Sequence, residues 1–222
     1  MRDPKPQLDH TVLLLGDGPV DPHQLHRAHS LAPRIIAADG GARHALQHNL
    51  PLTEIIGDLD SLTNYQLWRN SGTRITEVKE QNSTDFEKCL NRVPAATYMG
   101  LGFLGRRLDH SLACLRSLAA FPHKRIVLIG EDDITFLCPK DFSMNLAEGT
   151  RVSLFPIAPV TGTDCDGLRW SITGLSFDPR GQIGTSNQAL GGPVNIGLSD
   201  AASMLMILPL TELEAAISAL GG

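Results

Sequence analysis

Two aspartates two residues apart, in Gly57-Asp58-Leu59-Asp60-Ser61, follow the short apolar run Glu54-Ile55-Ile56. In an extended segment residues i and i+2 project to the same side, so Asp58 and Asp60 can converge on one point. Two hard oxygen donors at a strand end are what Mg2+ needs when phosphates complete its shell. A second group, Ser83-Thr84-Asp85-Phe86-Glu87, sets Thr84 and Glu87 at capping-box spacing, with Phe86, Cys89, Leu90 and Val93 as an apolar face. A helix start there presents N–H groups and a positive dipole end to phosphate, and Asp85 in its first turn can serve the dipole or a metal. A third, Gly105-Arg106-Arg107-Leu108-Asp109-His110, puts Asp109 where an N-cap belongs. One guanidinium there can fork onto phosphate oxygens while Asp109 orients it or joins the metal site. In Asp39-Gly40-Gly41-Ala42 the glycines sit at a strand-to-helix junction and allow close backbone approach to a ligand. The polar stretch Gly184-Thr185-Ser186-Asn187-Gln188 can hydrogen-bond a small polar substrate. Taken singly, each group also suits a plain turn, cap or strand connection.

Other chemistries find less support. His44 and His48 stand at i, i+4 spacing with no third ligand nearby, which argues against zinc. The four cysteines, Cys89, Cys114, Cys138 and Cys165, form no CxxC pair and fit a reducing, cytoplasmic compartment. A net charge of −5 carries no basic surplus for nucleic acid. A phosphate ligand must then be held by local geometry or a bridging cation. Trp68 and Trp170 read as core or edge aromatics. No stretch approaches membrane-spanning length, and Met1-Arg2-Asp3-Pro4-Lys5-Pro6 has no secretion-type apolar run behind it.

The elements that must position these residues alternate at first. Apolar runs at Thr11 to Leu15, Arg34 to Ala38, Glu54 to Ile56 and Arg125 to Ile129 read as strands. Asp21 to Leu31, Ala42 to His48, Ser83 to Leu90 and Asp109 to Ala120 read as helices. Strand–helix alternation predicts a mostly parallel sheet with ligands at the strand C-terminal ends. Near Ser143 the pattern changes to short strands with turn signals: Thr150 to Phe155, Gly167 to Ile172, Gly192 to Leu198 and Ser203 to Leu208. The expectation is an α/β domain over 1–142, followed by a small all-β, sandwich-like domain over 143–222. Thr211-Glu212-Leu213-Glu214 reads as a capping box opening a short terminal helix.

The order of these groups is more specific than any one of them. Ala38 to Ala42, Ile56 to Leu62, Ser83 to Lys88, Arg107 to His110, Val152 to Pro156 and Thr185 to Asn187, in that order, resemble the thiamine pyrophosphokinase family. The resemblance runs from about Thr11 to Leu208. It implies a homodimer with an active site at the subunit interface, a nucleotide-binding α/β domain and a β-sandwich. It also implies transfer of pyrophosphate from ATP to the hydroxyl of thiamine. By position, Asp58, Asp60 and Asp85 would hold Mg2+ and phosphates. Asp39, Gly40 and Gly41 would serve ATP, Thr84, Arg107 and Asp109 would bind ATP phosphates or the metal, and Ser186 and Asn187 would lie at the thiamine pocket. Departures from the family pattern occur at Asn82, at Arg106 and in Ser203 to Met206, which has no aromatic. A Mg2+-dependent phosphohydrolase, a kinase for another small alcohol, and a non-enzymatic thiamine diphosphate or nucleotide sensor are the alternatives.

Overall fold

The computed structural model describes residues 11–221; the stretch Met1 to Pro6 lies outside them. The chain forms two compact units, one up to Cys114 and one from Leu115 onward.

The first unit alternates strand and helix: β1 (Thr11–Leu15), α1 (Pro22–Leu31), β2 (Arg34–Ala38), α2 (Ala42–Gln47), β3 (Glu54–Gly57), α3 (Tyr65–Asn70), β4 (Arg74–Glu77), α4 (Asp85–Arg92), β5 (Thr97–Leu101) and the start of α5 (Leu108–Ala120). Its strands lie in the order β5-β1-β2-β3-β4 and all pair in parallel. Parallel strands are covered on both faces, which explains why β1 and β2 are continuous apolar runs, not alternating ones. From Val12 to Leu15 and from Ile35 to Ala37 no side chain reaches solvent. Asp21 caps α1 by accepting from the His23 and Gln24 amides.

The second unit holds β6 (Arg125–Ile129), β7 (Asp133–Leu137), β8 (Asp141–Leu146), β9 (Arg151–Pro156), β10 (Val160–Asp166), β11 (Ser176–Phe177), β12 (Gly184–Gln188), β13 (Gly192–Leu198), β14 (Met204–Pro209) and α6 (Leu213–Gly221). All pairings within it are antiparallel, in the orders β12-β9-β14-β7-β6 and β11-β10-β13-β8. β8 reads Asp-Phe-Ser-Met-Asn-Leu with strictly alternating burial, the mark of a strand with one wet face.

An α/β part with a parallel sheet, followed by an all-β part, is therefore the architecture. The division between the compact units falls inside α5, ahead of the change in sequence pattern expected at 142/143. β6 hydrogen-bonds β7, and β7 hydrogen-bonds β14, so residues 125–137 pair with later strands. Gly167 to Ile172 is not a strand; Leu168 makes one isolated bridge to Ala189. Thr211 lies in a single 3-10 turn, Leu210–Glu212, and α6 begins after it. All four cysteines are free thiols. Among the described residues no helix is long and apolar enough to cross a membrane.

Candidate active site

The site residues of the first unit gather at the C-terminal ends of its strands, around a cleft of about 480 Å3. Asp39 follows β2 directly. The β2–β3 register pairs Ala38 with Ile56, which brings Asp39 beside Gly57. A Cβ at Gly57 would stand 2.6 Å from that of Asp39, so only glycine leaves room for the aspartate. Asp39 adopts a left-handed φ of 44°, a region that Asp tolerates better than most residues. Its side chain is 4% exposed. Oδ2 accepts the Ser61 amide at 3.1 Å, and Oδ1 is buried without a hydrogen-bond partner.

Asp58 and Asp85 complete the cluster: one carboxylate oxygen from each of Asp39, Asp58 and Asp85 lies within 4.8 Å of the others. Asp60 is exposed and stands outside this group. Extended geometry stops at Leu59, whose φ is 67°, so the i, i+2 argument that would aim Asp60 with Asp58 does not apply there. Asp39, expected to serve ATP through its turn, takes that place.

The electrostatics differ among the three. Burial pushes the Asp39 carboxyl above its ordinary value, and the charges of Asp85 and Asp58 push the same way. Asp58 is held below the usual range, first by the Gln81 amide donating at 3.1 Å, with help from the Asp60 N–H and Lys88. Lys88 Nζ donates to Asp85 Oδ1 at 2.8 Å and lies 3.7 Å from Asp58 Oδ2. Burial alone would push the Lys88 ammonium down; the hydrogen bond and charge of Asp85, with Asp58 and Glu80, outweigh it and hold the group above its ordinary value. Sequence reasoning missed Lys88, although Asp85 and Lys88 have the i, i+3 spacing that pairs residues on one helix face.

Thr84 caps α4 as expected, with a complete capping box: Thr84 Oγ1 accepts the Glu87 amide and Glu87 accepts the Thr84 amide. The Asp85 and Phe86 N–H groups, in the first turn, have no intrahelical acceptor. Glu80 accepts the Asn82 and Ser83 amides at 2.8 and 3.1 Å and so folds the loop leading into that helix. Arg107 donates to both oxygens of Asp109, at 3.1 and 2.6 Å, and both side chains are 64% exposed. Asp109 lies in the first turn of α5, not ahead of it. Arg106 is exposed at the cleft with a left-handed φ of 55°. Gly40 lines the cleft; Gly41 is buried beneath it.

Ser186 and Asn187 belong to the second unit and are not part of this cleft. The β12–β9 register shifts between Gly184 and Asn187, and Ser186 takes a φ of 64° in that irregularity, with its side chain exposed. Asn187 is buried. Its Oδ1 accepts the Trp170 and Gln188 amides, and its Nδ2 donates to the Trp170 carbonyl at 2.7 Å. Its amide is spent on holding the neighbouring chain, and what it presents is Trp170, 53% exposed with Arg169 4.9 Å over the ring.

An all-oxygen donor set with an orphaned buried carboxylate oxygen fits a hard divalent cation. Carboxylates, an ammonium and a helix N-terminus at parallel strand ends are parts that phosphoryl-transfer sites of α/β proteins use. Two family descriptions match it: "Thiamin pyrophosphokinase, catalytic domain" over residues 25–129, and "Thiamin pyrophosphokinase, vitamin B1 binding domain" over 135–200. The chain belongs to the thiamin pyrophosphokinase family. It is 34% identical over 151 residues to thiamine pyrophosphokinase 3 of Oryza sativa subsp. japonica, covering 60% of this chain and 57% of that protein. It is 30% identical over 185 residues to thiamine pyrophosphokinase 2 of the same plant, covering 68% of this chain and 69% of that one. In fold it is similar to yeast thiamin pyrophosphokinase, with a TM-score of 0.79, 18% identity, and 93% and 89% of the two chains covered. The enzyme from Candida albicans gives a TM-score of 0.76 at 18% identity, with 90% and 88% covered.

Proposed function

We propose that this chain transfers pyrophosphate from ATP to the hydroxyl of thiamine, giving thiamine diphosphate and AMP. The observation that carries the reading is the Asp39, Asp58 and Asp85 cluster with its orphaned oxygen, set beside the N-terminus of α4. We assign these three carboxylates to Mg2+, with Asp60 exposed outside the cluster. When bound, the cation neutralises charge on the phosphate oxygens. The chain's own work is alignment and charge placement, the larger part of catalysis in phosphoryl-type transfer. The first-turn N–H groups of α4 receive phosphate, Arg107 forks onto its oxygens, and Asp109 holds that guanidinium in plane. Gly40, which lines the cleft, lets the nucleotide approach the backbone there. In this reading the protein works in the cytoplasm as a homodimer with its active site at the subunit interface; sedimentation analysis tests the dimer. Incubation with ATP, Mg2+ and thiamine, with detection of AMP and thiamine diphosphate, tests the reaction. ADP in place of AMP, or AMP formed without thiamine, would indicate a different kinase or a phosphohydrolase; no turnover would indicate a sensor.

Arg107→Lys is expected to lower kcat/KM for ATP about tenfold, because an ammonium cannot reproduce a bidentate fork and a charge-assisted bond contributes roughly 1.5–3 kcal/mol. Arg106→Gly removes a strained φ and should change stability and kinetics little. Steady-state kinetics on both variants decides this, and equal damage would remove the distinction.

The thiamine contacts we assign to Ser186 and to the exposed face of Trp170. Asn187 acts by holding Trp170 in place. Ser186→Ala should raise KM for thiamine and leave that for ATP nearly unchanged. Asn187→Ala should in addition lower the melting temperature, because it strands the Trp170 and Gln188 amides it now satisfies, at about 1–3 kcal/mol. An Asn187→Ala protein as stable as the parent would show that the amide is not a structural tie.

A further inference from the structure

Among the described residues Lys88 is the only lysine or arginine that is buried. Its side chain is 2% exposed. Taking an ammonium out of water is costly unless carboxylates repay it. Here the repayment comes from Asp85 at 2.8 Å and Asp58 at 3.7 Å. Those are two of the three residues whose oxygens converge within 4.8 Å. An ammonium and a divalent cation thus draw on the same two carboxylates, and the ammonium is built into the first turn of the helix that faces the cleft.

We propose that Lys88 is the resident counter-ion of the cation site, and that it makes cation and nucleotide bind as one. The inference rests on the reading that the site takes a divalent cation with phosphates. Lys88 holds Asp58 and Asp85 in position and cancels one of the three negative charges of the cluster. A bare divalent cation therefore meets a weakened pull and a like charge at close range. An incoming phosphate meets the reverse: less repulsion from the carboxylates, and an ammonium whose three donors can turn from Asp85 to a phosphate oxygen. The cation is held tightly only when phosphate arrives with it. Lys88 is in this role a positioning residue that sets the order of assembly.

A purely structural lysine and a counter-ion lysine predict different things on removal. Lys88→Met keeps the length and apolar stem and deletes the charge. Binding of Mn2+ alone and of α,β-methylene-ATP should be measured on the full chain by calorimetry, with free Mn2+ followed by electron paramagnetic resonance and the protein-free association of Mn2+ with the analogue measured separately and subtracted. In the parent protein, saturating analogue is expected to tighten Mn2+ at least about tenfold beyond that protein-free association. In Lys88→Met, Mn2+ alone should bind about tenfold tighter than in the parent and the analogue about tenfold weaker, as expected for deleting one unit charge a few ångströms from each ligand. Lys88→Gln, which keeps a donor to Asp85 without the charge, should shift both in the same directions and is read in the same way if the methionine variant does not fold. Mn2+ binding that is unchanged or weakened in a folded variant overturns the proposal. So does independence of Mn2+ and analogue in the parent. A parent protein that binds no Mn2+ even with the analogue present fails differently: it overturns the assignment of the site itself.

Discussion

Asp85→Asn and Asp58→Asn are each expected to lower turnover by about 10²–10³, the usual loss when one preorganised charge-stabilising group is removed. Asp39→Asn should lower it comparably and, unlike them, raise the melting temperature. Asp58 sits in a network that favours its charge, with Gln81 donating and Lys88 nearby, and Asp85 is hydrogen-bonded to Lys88. Neutralising either strands the buried ammonium. Asp39 is the reverse: burial raises its carboxyl above the ordinary value, and the neighbouring carboxylates add to it. A carboxyl raised in the folded state binds its proton more tightly there than in the unfolded chain. Its contribution to stability is full below the ordinary aspartate range and is lost as pH rises through the raised value. Asparagine cannot ionise, so the variant escapes that loss. Its oxygen can still accept the Ser61 amide, and its NH2 can face Asp58 and Asp85. The gain should therefore grow as pH rises above the ordinary aspartate range and level off once the raised value is passed, at roughly 2–4 °C for each kcal/mol recovered. Thermal melts across that range, beside turnover at saturating Mg2+, check both halves. An Asp39→Asn protein less stable than the parent at neutral pH would show that its charge is not the burden described.

Gly41→Ala is expected to be the most damaging single methyl group in the first unit. The backbone at Gly41 has an ordinary right-handed φ of −57°, so conformational freedom is not why glycine stands there. Space is the reason: an added Cβ would meet the Leu15 carbonyl oxygen at 2.1 Å and its carbon at 2.7 Å. Leu15 ends β1, which lies between β5 and β2, and it is fully buried. Neither backbone can yield without moving the turn that carries Asp39. Overpacking of this kind costs about 1–3 kcal/mol and can exceed it, and displacing the turn would move Asp39 relative to Asp58 and Asp85. Both melting temperature and kcat should fall. Gly181→Ala is the matched control, since its nearest neighbour would be 3.6 Å away. If Gly41→Ala melts with the parent, the close approach to Leu15 is not a constraint.

The sequence by itself determined a good deal here, wherever the physics is local. β1 ends, and β2 and β6 begin and end, where their apolar runs do, because glycine, proline or charged residues bound them. The Thr84 and Glu87 spacing determines the start of α4, because a capping box involves only four consecutive residues. The change from α/β to all-β was also legible, as was the ordered set of short motifs that marks the family. What only the tertiary structure decided is which side chains meet. Asp58 and Asp60 are neighbours in sequence, yet the left-handed Leu59 between them ends the extended geometry on which their convergence depended. Asp39 and Asp58 are nineteen residues apart (58 − 39) and converge because parallel pairing of β2 with β3 sets Ala38 against Ile56. The burial of Lys88 depends on a helix docking against a strand end. Asn187, polar and in a Gly-rich stretch, reads as a ligand contact until the Trp170 backbone is seen to occupy its amide. The position of the unit boundary depends on β6 finding β7. Each of these is a long-range pairing or a change of backbone hand. Composition and periodicity do not carry that information, because it exists only once separate segments are brought side by side.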